Sequence, residues 1–217
     1  MDFQYFLKFI PDLVQAPLSG EVSHQKMMPL ERKKLLEKMN LKNNIPREAA
    51  VTMLFYPKNN ETHLVLIVRN SYNGIHSAQI AFPGGKIEPE DIDFRATALR
   101  ETEEEIGVNR NKIEIVKAFS PVFIPPSNFM VYPFLGICTE EIQFVPDPIE
   151  VAAIIELSLN VFRDNAIFTV ENLVTSYASF IEVPAFKIDE HIVWGATAMM
   201  LSELRDVLNS ILVDKSN

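Results

Sequence analysis

Hydrophobic and polar positions follow two different periods along this chain. In residues 1–45 the apolar positions fall at helical spacing. Phe3, Phe6, Leu7 and Ile10 share one face, and Pro11 is expected to stop that turn. The run Pro29-Leu30-Glu31-Arg32-Lys33-Lys34-Leu35-Leu36 opens a second helix, with proline suited to a first helical position. After Pro46 the pattern shortens to β-rich runs. Ala49–Tyr56 and His63–Arg69 read as a hairpin turning at Pro57-Lys58-Asn59-Asn60. Further strands are predicted over Lys112–Phe123, Met130–Thr139 and Val151–Leu157. Between the hairpin and these strands lies a long helical pattern ending at Gly107, a natural residue just past a helix C-terminus, and a final helix spans Ala196–Leu212. The expectation is an α/β fold, a mixed β-sheet sandwiched between α-helices. It divides into a helical N-terminal arm, 1–45, and a main domain, 46–217. The arm is expected to pack without taking part in any chemistry, so that a chain starting near Ile45 would keep its activity; a partner-binding helix is the alternative.

Composition narrows the function classes. The chain has 217 residues, 47% of them hydrophobic, enough for a full core without staples. Its net charge of −9 argues against a general nucleic-acid binder, which needs a basic face. A phosphate-bearing ligand stays open if a metal or a local basic cluster supplies positive charge. Cys138 is the only cysteine, so an intrachain disulfide is impossible; it reads as a buried thiol without chemistry. No apolar run approaches a membrane span, and Met1-Asp2 brings no basic region ahead of Phe3–Ile10 as a signal peptide would. The expected location is cytoplasmic, with no membrane partner.

The segment that changes the picture is Arg100-Glu101-Thr102-Glu103-Glu104-Glu105-Ile106-Gly107-Val108. On a helix, Glu105 lies about 40° to one side of Glu101 and Glu104 about 60° to the other. Three carboxylates share a narrow face, while Ile92, Leu99 and Ile106, seven apart, are expected to anchor the opposite face in the core. Adjacent like charges repel, so a cation belongs among them. Hard oxygen ligands without cysteine or histidine point to Mg²⁺ or Mn²⁺ and to chemistry on a phosphate ester or anhydride. A glutamate-rich solvated face is the alternative. No Gly-x-Ser-x-Gly elbow, Gly-x-Gly-x-x-Gly motif or P-loop competes for the role.

Together with Gly84-Gly85, this segment closely resembles the signature of the Nudix hydrolases, Gly-x5-Glu-x7-Arg-Glu-U-x-Glu-Glu-x-Gly-U, where U is apolar. Thr102 replaces one apolar position. One extra residue separates Gly85 from Arg100, and the first acidic position falls on Asp91. The departure reads as an insertion in the loop before the helix. The resemblance implies that Glu101, Glu104 and Glu105 bind metal, that a backbone carbonyl of the glycine pair, at Gly85, can reach it, and that Arg100 holds a glutamate in place. Glu150, after Pro146-Asp147-Pro148, is the candidate for an additional late acidic residue, a ligand or base; an ordinary loop glutamate is the equal alternative.

Upstream, Leu66-Ile67-Val68-Arg69-Asn70 and His76-Ser77-Ala78-Gln79-Ile80-Ala81-Phe82-Pro83-Gly84-Gly85 look like the extra motif of the coenzyme A pyrophosphatase branch. Asn70 stands for its serine, Gly74 for its second arginine and Ala78 for its glycine. Ile124-Pro125-Pro126-Ser127-Asn128-Phe129 and Val193-Trp194-Gly195-Ala196-Thr197-Ala198-Met199 resemble the same branch, although Trp194 by itself reads as core and His76 as a hydrogen-bonded loop residue. The resemblance implies metal-dependent cleavage of the diphosphate of coenzyme A into 3′,5′-ADP and 4′-phosphopantetheine. Arg69, Phe82, Gly84 and Lys86 would contact substrate, and Glu104, Glu105, Arg100 and Glu150 would carry the chemistry. The partner implied is a small-molecule nucleoside diphosphate derivative, and a homodimer is left open. Rivals are ADP-ribose, nucleotide sugars, a broad housecleaning hydrolase and, from another class, a non-catalytic nucleotide-sensing module, which would be expected to lose catalytic glutamates.

Overall fold

A computed structural model describes residues 1–38, 45–70, 79–175 and 178–212. Four short helices come first: α1 (Phe3–Leu7), α2 (Ile10–Gln15), α3 (Glu21–Lys26) and α4 (Leu30–Lys38). Pro11 sits in the first turn of α2, so it starts a helix where the sequence suggested a stop. A proline there sacrifices only an N–H that has no helical partner anyway. The hairpin follows as β1 (Arg47–Lys58) and β2 (Glu61–Arg69), turning on Asn59 and Asn60, both at positive φ. Then come β3 (Ile80–Ala81), β4 (Gly84–Lys86), α5 (Phe94–Ile106), β5 (Ile113–Ala118), β6 (Val122–Ile124), β7 (Phe129–Cys138), β8 (Val151–Ser158) and α6 (Leu159–Arg163). A meander of β9 (Phe168–Thr175), β10 (Ala178–Ile188) and β11 (His191–Trp194) leads into α7 (Gly195–Ile211). The predicted strand over Lys112–Phe123 is two strands, β5 and β6, and the β9–β11 meander was not foreseen.

The main sheet runs β3-β2-β1-β7-β5, with β4 on β1, β6 on β7 and β8 on β2. The β1–β7 pair is parallel and the other pairs are antiparallel, so the sheet is mixed. Central β1 is buried on both faces, which is why its sequence reads as a continuous apolar run. Its odd positions Ala49, Val51, Met53 and Phe55 enter the larger core with α7 and the arm. Ala50 and Leu54 face the other way, Ala50 against Ala98 of α5 and Leu54 with Ile106. The sandwich therefore has α5 on one side, and α7 with the N-terminal helices on the other. Phe3, Phe6 and Leu13 are fully buried within that larger core, and the Phe6 ring lies 5.0 Å from Phe55.

A buried carboxylate ties the arm to α7. Glu203 accepts hydrogen bonds from the Gly20 N–H at 2.7 Å, the Ser120 N–H at 3.0 Å and the Ser120 hydroxyl at 2.6 Å, with His24 Nε2 3.5 Å away. Burial alone would raise its pKa, but His24, Ser120 and Gly20 outweigh burial and hold it below the usual carboxylate range. A depressed carboxylate contributes stability above its unfolded pKa and loses it as pH falls through the folded value. Glu203→Gln should therefore destabilise the protein by about 2 kcal/mol at pH 7, with the penalty shrinking toward pH 3. Urea melts across that range check this, and a pH-independent penalty would contradict it. No helix among the described residues is long and apolar enough to cross a membrane.

Candidate active site

Helix α5 positions the carboxylates. Asp93 caps its first turn by accepting the Ala96 N–H at 2.8 Å, and Gly107 ends it at φ 71°, where a left-handed residue is needed. Ile92 lies before the first turn and is 92% exposed, so the expected Ile92–Leu99–Ile106 stripe is not the buried face. Thr97, Ala98, Thr102, Glu105 and Ile106 form that face instead. Thr102, where the signature has an apolar residue, satisfies its buried hydroxyl with Thr52 at 2.9 Å and the Ala98 carbonyl at 2.7 Å.

This roll of the helix grades the three glutamates. Glu105 is buried, Glu101 is mostly buried and Glu104 is exposed. Glu105 Oε2 accepts the Gly84 N–H at 2.8 Å and Oε1 accepts from Arg69 at 3.0 Å. Burial raises its pKa to about 7 against the pull of Arg69 and Gly84, with Glu101 and Glu150 adding repulsion. The Glu101 carboxyl is raised as well, first by burial and then by Glu104 and Glu150, despite Arg100. Arg100 spends its whole fork on this corner. Nε and Nη2 donate to Asp91 at 3.0 and 2.9 Å, Nη1 donates to Glu101 at 2.9 Å and Glu104 at 2.8 Å, and Nη2 also reaches the Lys86 carbonyl at 3.1 Å. Asp91 is thereby held well below the usual carboxylate range. The acidic residue at the displaced signature position thus still pairs with the signature arginine, and the extra residue is absorbed ahead of the first turns of α5.

Among the described residues, no three acidic, histidine or cysteine side chains converge as a closed metal-ligand set. Glu101 and Glu104 are drawn to Arg100, and Glu105 to Arg69 and Gly84. The donor chemistry nevertheless fits a hard divalent cation. Burial raises the Glu101 and Glu105 carboxyls, and repulsion from Glu150 and from their helix neighbours adds to it, so a cation placed among them would be favoured. The glycine pair also leaves room for this arrangement. A Cβ at Gly85 would stand 2.4 Å from the Glu101 carboxylate, and one at Gly84 would stand 2.3 Å from the Ala50 carbonyl. Gly85→Ala should therefore leave a folded protein with Glu101 displaced and kcat lowered by about tenfold or more. Circular dichroism with initial rates checks this, and unchanged turnover would show that Glu101 needs no such room.

A pocket of about 370 Å³ adjoins this corner. Its wall includes Arg69, Phe82, Gly84, Gly85 and Lys86, the sequence candidates for substrate contact. Ile124, Pro126 and Phe129 join them from one of the flagged stretches, and Trp194, Gly195, Ala196 and Thr197 from the other. Trp194 is half-buried at the pocket wall, which corrects its reading as core. Glu150 is half-exposed, with Oε2 3.9 Å from Arg69 Nη2. Asn70 holds its loop, donating to the Pro148 and Ile149 carbonyls at 2.7 and 2.8 Å. That role went unnoticed in the sequence, although Asn70 was visible as a departure from the motif. Cys138 is buried as expected, its thiol pushed up by burial. Gly74, His76 and Ala78 lie outside the described residues. Pro29, Arg32 and Leu35 also line the pocket, so the arm, expected to stay clear of the site, forms part of its wall.

A mixed sheet between helices, carrying a glycine loop against a glutamate-rich helix, defines the class of protein. The NUDIX domain pattern matches residues 46–174, and the chain belongs to the Nudix family. It is 29% identical over 167 residues to an uncharacterized Nudix hydrolase NudL of Photorhabdus laumondii, covering 73% of this chain and 83% of that one. It is 35% identical over 120 residues to the mitochondrial Nudix hydrolase 15 of Arabidopsis thaliana, covering 54% of this chain but only 42% of that longer protein. The crystal structure of RenU, a Nudix hydrolase from M. smegmatis, shares the fold with a TM-score of 0.53 at 16% identity, over 76% of this chain and 88% of that one.

Proposed function

We propose that this protein is a Nudix hydrolase cleaving the diphosphate linkage of coenzyme A or a coenzyme A derivative, giving 3′,5′-ADP and 4′-phosphopantetheine. One observation carries the reading. The Arg69 stretch, the glycine loop, the Ile124–Phe129 stretch and the Trp194–Thr197 stretch, all of which resemble the coenzyme A branch, line a single pocket beside the glutamate helix. Water would add across the linkage, its oxygen bonding to one phosphorus while the bridging oxygen leaves with the other. Glu101, Glu104 and Glu105, with the Gly85 carbonyl, would hold Mg²⁺ or Mn²⁺, which supplies charge neutralisation on the diphosphate and a more acidic water. Arg100 fixes Glu101 and Glu104, while Arg69 and Lys86 face the pocket with positive charge. Phe82 and Gly84 shape the wall where the linkage enters.

Glu150 is the candidate acceptor of the water proton, being solvent-accessible and close to both Arg69 and the helix carboxylates. Glu150→Gln should lower kcat and flatten the acidic limb of the pH–rate profile; an unchanged profile would hand that role to α5. ADP-ribose is the second reading, favoured by glycine at position 74, where the coenzyme A motif has arginine. The test is kcat/KM for coenzyme A, dephospho-coenzyme A and ADP-ribose with Mg²⁺ and with Mn²⁺, products identified by mass. A clear preference for ADP-ribose overturns the coenzyme A reading, and no turnover of any diphosphate would favour a sensing module.

A further inference from the structure

Glu150 is half-exposed on a loop, where a glutamate ordinarily samples many rotamers and backbone states. Here both of its peptide groups are committed. The Glu150 N–H donates to the Asp147 carbonyl at 3.2 Å, and the Glu150 carbonyl accepts from the Asn70 N–H at 2.9 Å. The two carbonyls before it, Pro148 and Ile149, accept from the Asn70 side-chain amide at 2.7 and 2.8 Å, so each hydrogen of that amide meets an acceptor. Asp147 adds a turn inside the loop, its carboxylate accepting the Ile149 N–H at 2.7 Å. Helix α5 holds the loop from its other end. The Val145 and Asp147 N–H groups donate to the Ile106 and Glu105 carbonyls at 3.0 and 2.9 Å, two of the carbonyls that a helix C-terminus leaves without a helical partner.

We propose that Asn70 is a positioning residue for the reaction, acting through the Glu150 carboxylate. This rests on the reading of Glu150 as the acceptor of the water proton. Asn70 directly follows Arg69, and the two residues act on the same pair of carboxylates. Arg69 bonds to Glu105 at 3.0 Å and stands 3.9 Å from Glu150, while Asn70 grips the backbone beneath Glu150. One dipeptide at the end of β2 therefore sets the spacing between the buried carboxylate of α5 and the loop carboxylate. The strand ladder breaks at the same point. Val68 pairs with Ala153 but Arg69 pairs with Val151, so β8 carries an extra residue there. A bulge of this kind turns the strand end and re-aims the side chains beside it. The Asn70 amide then covers carbonyls that lie beyond the last ladder pair. A reacting group displaced by about 1 Å can cost about two orders of magnitude in rate. Loosening the backbone under Glu150 needs only a fraction of that displacement to be felt, and Asn70 need not touch substrate.

The experiment compares Asn70→Ala, Asn70→Ser, Glu150→Gln and the Asn70→Ala/Glu150→Gln double variant of the whole chain, on whichever of coenzyme A and ADP-ribose the wild type cleaves. Asn70→Ala should lower kcat about tenfold with KM little changed. Asn70→Ser, which keeps one donor, should recover part of the loss. In the Glu150→Gln background, Asn70→Ala should lower kcat no further. Amide hydrogen exchange over residues 147–151 should be about tenfold faster in Asn70→Ala, while the melting temperature stays within about 4 °C of the wild type. An unchanged kcat in Asn70→Ala overturns the proposal. So does an equal loss with and without the Glu150 carboxylate, which would mark Asn70 as a support for the fold alone. A fall in kcat with unchanged exchange also overturns it, since the loop would not have moved. Where Glu150→Gln is itself slow, each of these results leaves the base reading standing and removes Asn70 alone. Normal turnover by Glu150→Gln, or none by the wild type, instead removes the base reading and this inference with it.

Discussion

Glu101→Gln should lower kcat by about two orders of magnitude while leaving a folded protein, and Glu105→Gln should do the same. The two substitutions remove charge with little change in volume, but they act at different places. Glu101 stands against Gly85 and is held by Arg100, so its carboxylate is fixed where the glycine loop meets α5. If Glu101 holds the cation as proposed, losing its charge should weaken binding, and titration with Mn²⁺ should show a fall in affinity alongside the fall in kcat. Glu105 is buried, with one oxygen on the Gly84 N–H and the other on Arg69. A glutamine can still accept from Gly84 but offers Arg69 no charge, so the loop should stay closed while the electrostatics fail. Folding survives because burial already disfavours the charged form of both carboxyls, with repulsion from neighbouring glutamates adding to it, so a neutral amide there relieves a cost. Without a divalent cation, both variants should melt no lower than the wild type at pH 8. Near-normal turnover by both at saturating Mg²⁺ would remove the carboxylate helix from the chemistry.

The sequence exposed this helix because its signal is local. Glycines, one arginine and three glutamates lie within a short stretch whose spacing alone sets a common face. Strands β1, β2, β7 and β8 were equally legible, since their apolar runs are long and bounded by turn residues. What stayed hidden depends on contacts between distant segments. No periodicity says that Asn70 ties down the loop before Glu150, or that Trp194 faces a pocket instead of the core. Ile92 misled for a related reason. Its place in a seven-residue series is real, but the helix starts two residues later and leaves it in solvent. The β9–β11 meander lacks the glycine-rich two-residue turns that announce a hairpin, turning instead at Asp189-Glu190 with Asp189 at positive φ. The polar sequence of α4 gave no reason to place it on a pocket wall, where Arg32 and Leu35 nevertheless stand.

A chain starting at Ile45 should fail to reach the native state, contrary to the expectation that the arm is dispensable. Phe3, Phe6 and Leu13 are fully buried among Phe55, Leu64 and other residues of the larger core, which the sheet shares with α7. Removing them strips about 1.5–3 kcal/mol of burial each and opens apolar sheet surface to water. That sum is comparable to the whole stability of an ordinary domain, roughly 5–15 kcal/mol. The same cut takes the Gly20 N–H and His24 away from Glu203, removing the polar link that ties the arm to α7. The pocket would also lose Pro29, Arg32 and Leu35 from its wall. A milder lesion separates these effects. Phe6→Ala should cost about 3–5 kcal/mol yet retain turnover at low temperature, since Phe6 lies in the core and not on the pocket. Urea denaturation of Phe6→Ala, with gel filtration and circular dichroism of the shortened chain, provides the check. A monodisperse, cooperatively melting protein beginning at Ile45 would show that the sheet and α7 close their core without the arm.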